Sequence, residues 1–194
     1  MQRIADIARK TDETNIRMKI NIDGNGKNKI DTGIGYFDHM LKAFSVHSGI
    51  DMELKAEGDL WVDTHHTVED TGIVLGMAIK EALGDKKGIM RYGSFFCPMD
   101  ESLSSCHLDI SGRAFLVFDG EFLSERCGEM ETQMVEEFFR AIATNAGITL
   151  HLTVEYGKND HHKIESLFKA FAHALRAAVI FNGNSEILSS KGTL

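Results

Sequence analysis

The chain reads as an α+β sandwich built from an internal duplication, and three observations lead there. Apolar residues alternate with polar ones in several short runs and recur at helical spacing in four longer ones. The stretch from Phe37 to Leu83 repeats in outline between Glu136 and Val179. Each copy carries the pattern His-His-x-x-Glu, at His65-His66-Thr67-Val68-Glu69 and at His161-His162-Lys163-Ile164-Glu165.

The repeat aligns on Gly49-Ile50 and Gly147-Ile148. The same spacing carries His39 onto Glu137, and a short gap in the following loop brings His65 onto His161. Each half therefore reads as strands followed by helix, strand, loop and helix. In the first half, Ala5–Ala8, Asn15–Ile22 and Lys29–Asp31 have strand character, with Asp23-Gly24-Asn25-Gly26 expected to close a hairpin. Tyr36–Val46 is predicted helical. Asp51–Glu57 alternates Met52, Leu54 and Ala56 against charged residues, the period of a half-buried strand. Thr67–Leu83 places Val68, Ile73, Leu75, Ala78, Ile79 and Leu83 at helical spacing and stops at Gly84, a C-cap residue. In the second half, Tyr92–Pro98, Ser102–Ile110, Ala114–Phe118 and Thr149–Tyr156 are expected as strands, with helices over Thr132–Ala146 and Lys163–Phe181. The halves are expected to span 1–87 and 88–181, joined near Lys86–Gly88, with a polar tail over 182–194. Strands beneath two helices in each half make a sandwich, with both motif helices expected on the same side of the sheet.

At 194 residues, 43% hydrophobic and 26% charged, the composition is that of a globular protein. A formal net charge of −8 argues against a nucleic-acid partner, which needs a basic face. No apolar run approaches the ~20 residues of a membrane span. Cys97, Cys106 and Cys127 form no CxxC pair and read as reduced thiols. With a start, MQRIADIARKTDET, too polar for a signal peptide, a cytoplasmic protein is expected.

Residues turn by about 100° each on a helix, so positions i and i+4 lie roughly 40° apart. Each motif thus presents imidazole and carboxylate from one helix end, while the adjacent histidines splay and suit two different ions. The candidate ligands are His39, His65, His66 and Glu69 from one half and Glu137, His161, His162 and Glu165 from the other. Imidazole and carboxylate without thiolate fit Mn²⁺, Fe²⁺ or Zn²⁺. Near the first motif, Asp63 is expected to cap the helix and Asp70 to accept from an imidazole. His47, His107, His151 and His173 read as surface or packing histidines. Arg91, Arg113, Lys169 and Lys191 are cations beside segments that can converge on an anion. Gly33-Ile34-Gly35 lacks the third glycine of a dinucleotide fingerprint, and no GxSxG or Walker motif occurs. A dinuclear metal enzyme, a metal-storage protein and a dinuclear hydrolase all remain compatible with this ligand set.

The segments RKTDETNI, FDHML, DLWVDTHHTVED, MDESL, DISGR, NAGITLH, YGKNDHHKIESLFKAFAHALR and SSKGTL together separate these readings. Through them the chain closely resembles the imidazoleglycerol-phosphate dehydratases of histidine biosynthesis, over essentially its full length. The resemblance implies a duplicated split β-α-β fold, akin to ribosomal protein S5 domain 2, assembled as a 24-subunit homo-oligomer. It implies conversion of D-erythro-imidazoleglycerol phosphate to imidazoleacetol phosphate with two Mn²⁺ ions per subunit. His39, His65, His66, Glu69, His161, His162 and Glu165 are then metal ligands, and Glu13 contacts substrate and transfers protons. Arg91, Arg113, Lys169, Ser189 and Lys191 bind the phosphate. This chain departs from the family at Val135-Glu136-Glu137-Phe138-Phe139, where many members carry histidine in place of Glu137. The chemistry implied is ring deprotonation between two metal ions, loss of the adjacent hydroxyl, and proton removal to an enol that becomes the ketone. The phosphatase domain fused to some members is missing from this sequence, so a single activity is expected.

Overall fold

In a computed structural model, which describes residues 2–193, two four-stranded sheets enclose a layer of four helices. The first sheet contains β1 (Ile4–Lys10), β2 (Thr14–Asn21), β3 (Asn28–Asp31) and β4 (Asp51–Gly58), in the order β1-β2-β4-β3. Its helices are α1 (Gly35–Ser48) and α2 (His65–Leu83). The second sheet contains β5 (Tyr92–Met99), β6 (Ser102–Asp109), β7 (Phe115–Asp119) and a long strand before the last helix. A short hairpin, β8 (Arg126–Cys127) with β9 (Met130–Glu131), precedes α3 (Met134–Ala146), β10 (Thr149–Tyr156) and α4 (Asp160–Val179). The order β5-β6-β10-β7 reproduces that of the first sheet.

Strand alternation sets the layering. In β2 every second residue, Thr14, Ile16, Met18 and Ile20, is buried while its neighbours face solvent. Burying those side chains requires an apolar layer on one face, and the helices supply it. One cluster of buried residues runs through both halves. At its centre Phe138 stacks on Phe168 and meets the edge of Phe37, and Phe44 stacks on Phe171. Helices pack across the duplication, α1 against α4 and α2 against α3. The backbones of α2 and α3 approach closely because Gly72 and Gly76 face Phe138, Asn145 and Ile142, where a Cβ would come within 3 Å. Gly49 and Gly147, the residues on which the repeat aligns, both end helices in the left-handed conformation, with φ of 77° and 66°.

Three expectations need correction. Asp23–Gly26 does not close a hairpin, because β3 pairs with β4 in parallel and never with β2. Asp51 instead accepts the backbone N–H groups of Asn25 and Lys27, which turns the chain toward the far edge of the sheet. The motif helices do not share one sheet: α2 covers β1 and β2, and α4 covers β5 and β6, so they belong to opposite sides of the middle layer. The last helix begins at Asp160 rather than Lys163, so both histidines of the second motif are helical. The tail from Asn182 carries no regular structure among the described residues.

Candidate metal centre

Both motifs start in the same local way. The side chain of Asp63 accepts from the backbone N–H of His65 at 2.7 Å, and that of Asn159 accepts from His161 at 2.9 Å. An Asx residue two positions ahead satisfies one orphan N–H of the first turn and sets the first histidine at the helix start. Within each pair the ring centroids lie 6.1 Å apart at a steep angle, so the rings diverge.

His161 and Glu165 converge with His39 of α1. Their ligating atoms lie within 4.8 Å of one another, with Glu165 Oε2 3.3 Å from His161 Nε2 and 3.6 Å from His39 Nε2. Tyr36 presents its ring edge-on to His161. Burial pushes the Glu165 carboxyl up, but the Lys169 ammonium at 2.7 Å and the two imidazoles more than offset it, so it stays below its ordinary range. Two nitrogens and an ionised oxygen facing one point are the donor set of a borderline divalent ion.

The counterpart in the other half lies where α2 meets α3. His65 Nε2 is 3.4 Å from Glu69 Oε2, and His65 shares a cleft of about 300 Å³ with Gln133, Glu136 and Glu137. Among the described residues His65, Glu69 and Glu137 do not close to the 4.8 Å of the first cluster; Glu137 lines the same cleft as His65, and Arg140 contacts it at 3.4 Å.

The second histidine of each motif points away from both clusters. His66 Nδ1 meets Asp59 at 3.0 Å, and its Nε2 lies 3.6 Å from Glu13. His162 Nδ1 meets Glu101 at 2.7 Å, and its Nε2 lies 3.7 Å from Asp100. Hydrogen bonds donated to Asp59 and to Glu101 raise these imidazoles above their ordinary pKa, against a smaller effect of burial. Asp70, expected to accept from an imidazole, is instead buried against Thr14 and Arg9. One residue beyond Glu69, it is rotated toward the sheet. Asp59 fills the role that was expected of Asp70. Glu101 was given no role from the sequence, although it lies in the MDESL segment, in a short link between two expected strands.

The phosphate candidates do not gather in one chain. Arg91 forks onto Asp109 at 2.6 and 2.9 Å and donates to the carbonyl of Leu188. Arg113 lies 4.0 Å from Asp109. The tail bearing Ser189 and Lys191 is tied in near this end, through Gly88 to Glu186. Lys169 sits by Glu165 and Met99, at the opposite end of β5 from Arg91.

His47 and His173 form a packing pair, Nδ1 to Nε2 at 3.1 Å, with His173 stacked on Phe95. His107 and His151 lie opposite each other on exposed strand positions of β6 and β10.

Residues 32–175 match the sequence profile of imidazoleglycerol-phosphate dehydratase. The chain is 62% identical over 192 residues to the enzyme of that name from Clostridium botulinum strain Alaska E43, covering 99% of this chain and 98% of the relative. It is 61% identical to that of Clostridium acetobutylicum, covering 100% and 98%. The crystal structure of imidazoleglycerol-phosphate dehydratase from Staphylococcus aureus superposes with a TM-score of 0.84 at 40% identity, covering 92% of this chain and 99% of that one. The Pyrococcus furiosus structure, in complex with (S)-C348, gives 0.85 at 34% identity, covering 97% and 100%. No helix among the described residues is long and apolar enough to cross a membrane. With its duplicated sheets and repeated histidine motifs, the chain belongs to the imidazoleglycerol-phosphate dehydratase family, metal-dependent hydro-lyases of histidine biosynthesis that act on a phosphate substrate.

Proposed function

We propose that this chain dehydrates D-erythro-imidazoleglycerol phosphate to imidazoleacetol phosphate in the cytoplasm, as a homo-oligomer of 24 subunits with two Mn²⁺ ions per subunit. The observation that carries the reading is the divergence of His66 and His162. Each first histidine has a carboxylate of its own helix beside it and shares a cluster or a cleft with a residue from the other half, while each second histidine turns its Nε2 outward toward an acid. One chain therefore offers more ligand nitrogens than its own two clusters use. A neighbouring subunit is the natural source of the completing ligands, and the same neighbour would reunite Lys169 with the remote Arg91, Arg113 and tail. On this reading His39, His65, His66, Glu69, Glu137, His161, His162 and Glu165 hold the ions. When bound, the ions supply Lewis acidity that favours the deprotonated imidazole ring of the substrate.

On this reading Glu13 moves the protons. Its backbone is fixed on both sides, N–H to Thr11 Oγ1 at 3.2 Å and carbonyl to the Asp59 N–H at 3.1 Å, while its side chain is half exposed beside His66. After the hydroxyl on the carbon next to the ring has left as water, a carboxylate so held takes a proton from the carbon bearing the second hydroxyl, giving the enol. It then returns a proton to the carbon next to the ring as the enol becomes the ketone. Arg91, Arg113, Lys169, Ser189 and Lys191 hold the phosphate and fix the reacting end.

The test pairs three variants with product analysis. Glu13→Gln is expected to retain Mn²⁺ and bind substrate while turnover falls on the order of 10²-fold or more. His65→Ala and His161→Ala should lose metal and activity together. Release of inorganic phosphate instead of a ketone, or full metal content in both histidine variants, would overturn the assignment.

A further inference from the structure

We propose that Asp59 and Glu101 are positioning residues that hold His66 and His162 as the Nδ1–H tautomer and so commit the Nε2 of each ring to a metal ion. The proposal rests on the metal reading of the two motifs. An ionised carboxylate only accepts hydrogen bonds, so the ring nitrogen facing it carries the proton. A neutral imidazole has one N–H, which leaves a lone pair on Nε2. The acids nearest those Nε2 atoms, Glu13 at 3.6 Å and Asp100 at 3.7 Å, lie beyond hydrogen-bond range. Each Nε2 is thus uncommitted in the chain and pre-shaped as a ligand.

The surroundings of the two carboxylates support this. Asp59 is 7% exposed, and His66 is the only hydrogen-bond partner of its side chain among the described residues. A carboxylate is buried at a cost unless a partner offsets it, and no partner other than His66 accounts for Asp59. Glu101 divides its oxygens: Oε1 accepts from the backbone N–H groups of Lys158 and Asn159, which leaves Oε2 for His162.

Descent from one ancestral repeat does not explain the pair. The strand registers set Lys10 opposite Asn15 in one hairpin and Pro98 opposite Leu103 in the other, so Glu101 superposes on Glu13. The same registers set Glu57 opposite Asn15 and Tyr156 opposite Leu103, so Asp59 superposes on Lys158, whose side chain accepts no hydrogen bond. The two halves therefore supply an Nδ1 acceptor from different positions, as a shared chemical requirement would produce and inheritance alone would not.

The tautomers are readable in the full chain with ¹⁵N-labelled histidine, stripped of metal at pH 8, by long-range nitrogen–proton correlation. His66 and His162 should both be Nδ1–H. Asp59→Ala touches no other side-chain bond and should return His66 to the Nε2–H form that dominates in free imidazole side chains. Glu101→Gln keeps an oxygen for the two backbone N–H groups and turns its amide NH₂ toward His162, so the His162 tautomer should invert. Titration with Mn²⁺, followed by loss of the free-ion resonance, should show affinity lowered about 10- to 100-fold in each variant. An Nε2–H form in the wild type, or unchanged Mn²⁺ affinity in both variants, overturns the proposal. A wild type that binds no Mn²⁺ at all would instead sink the metal reading, and the proposal's clause about a metal with it, while the tautomers still report on the acceptors.

Discussion

Asp160 is the place where a one-atom change should cost most. Its side chain is 3% exposed and that of Lys163 is 6% exposed, and they meet at 2.8 Å in the first turn of the second motif helix. Asp160 also accepts from the backbone N–H groups of Leu123 and Ser124, while Lys163 donates to the carbonyl of Glu121. The pair thereby ties the loop after β7 to the helix that carries His161 and Glu165. In Asp160→Asn, one oxygen keeps the two N–H bonds, but the amide NH₂ faces the ammonium and strands a buried charge. Such losses cost about 3–5 kcal/mol. At about 2–4 °C per kcal/mol for a chain of this size, Tm should fall by roughly 6–20 °C. The measurement is scanning calorimetry at fixed protein and Mn²⁺ concentration, since metal binding and assembly both shift apparent stability. Burial raises the Asp160 carboxyl, yet Lys163 and the loop N–H groups bring it below its ordinary range. A depressed acid contributes stability that is present above its unfolded value and is lost as pH falls through its folded one. The wild-type advantage should therefore be flat from about pH 5 to 8 and shrink only below about pH 4. Replacing both partners, Asp160→Asn with Lys163→Met, should recover much of the loss. A deficit under about 1 kcal/mol in the single variant would refute the reasoning.

Gly93→Ala should destabilise by on the order of 3 kcal/mol, because a Cβ there would lie 1.9 Å from the carbonyl oxygen of Ala174; urea unfolding checks it, and a neutral result would mean α4 can shift off β5. Burial lowers the pKa of both His47 and His173, with His173 and Lys169 adding to it for His47, Glu165 opposing, and Arg176 adding for His173. The fold then binds fewer protons than the unfolded chain, so stability should decline as pH drops below about 6.5. His173→Gln should flatten that slope between pH 7 and 5, and an unchanged slope would assign it to other groups. Truncation after Asn184 removes Leu188, Ser189 and Lys191 but no core residue; folding and Mn²⁺ content should persist while kcat/KM falls and KM rises. Substrate binding equal to that of the full chain would make the tail a passive terminus.

The sequence by itself carried what depends on near neighbours along the chain. Alternation in Asp51–Glu57 specified a half-buried strand, and Gly84 marked a helix end. The two His-His-x-x-Glu patterns were visible because spacing within one helical turn decides which side chains share a face. Their chemical character, nitrogen and oxygen donors without thiolate, was equally local. Tertiary structure decided whatever joins positions far apart. Nothing in Asp23–Gly26 says that β3 skips β2 to lie beside β4, because a tight turn and the first step of a crossover draw on the same residues. The cross-packing of α1 on α4 is what brings His39 to Glu165, and no periodicity encodes which helix a given apolar stripe will meet. Asp59 and Glu101 became Nδ1 acceptors only once loops from different strands closed over the motif helices. The separation of Lys169 from Arg91 is likewise a matter of strand length: they flank opposite ends of β5, and a strand is straight whatever its side chains are meant to hold.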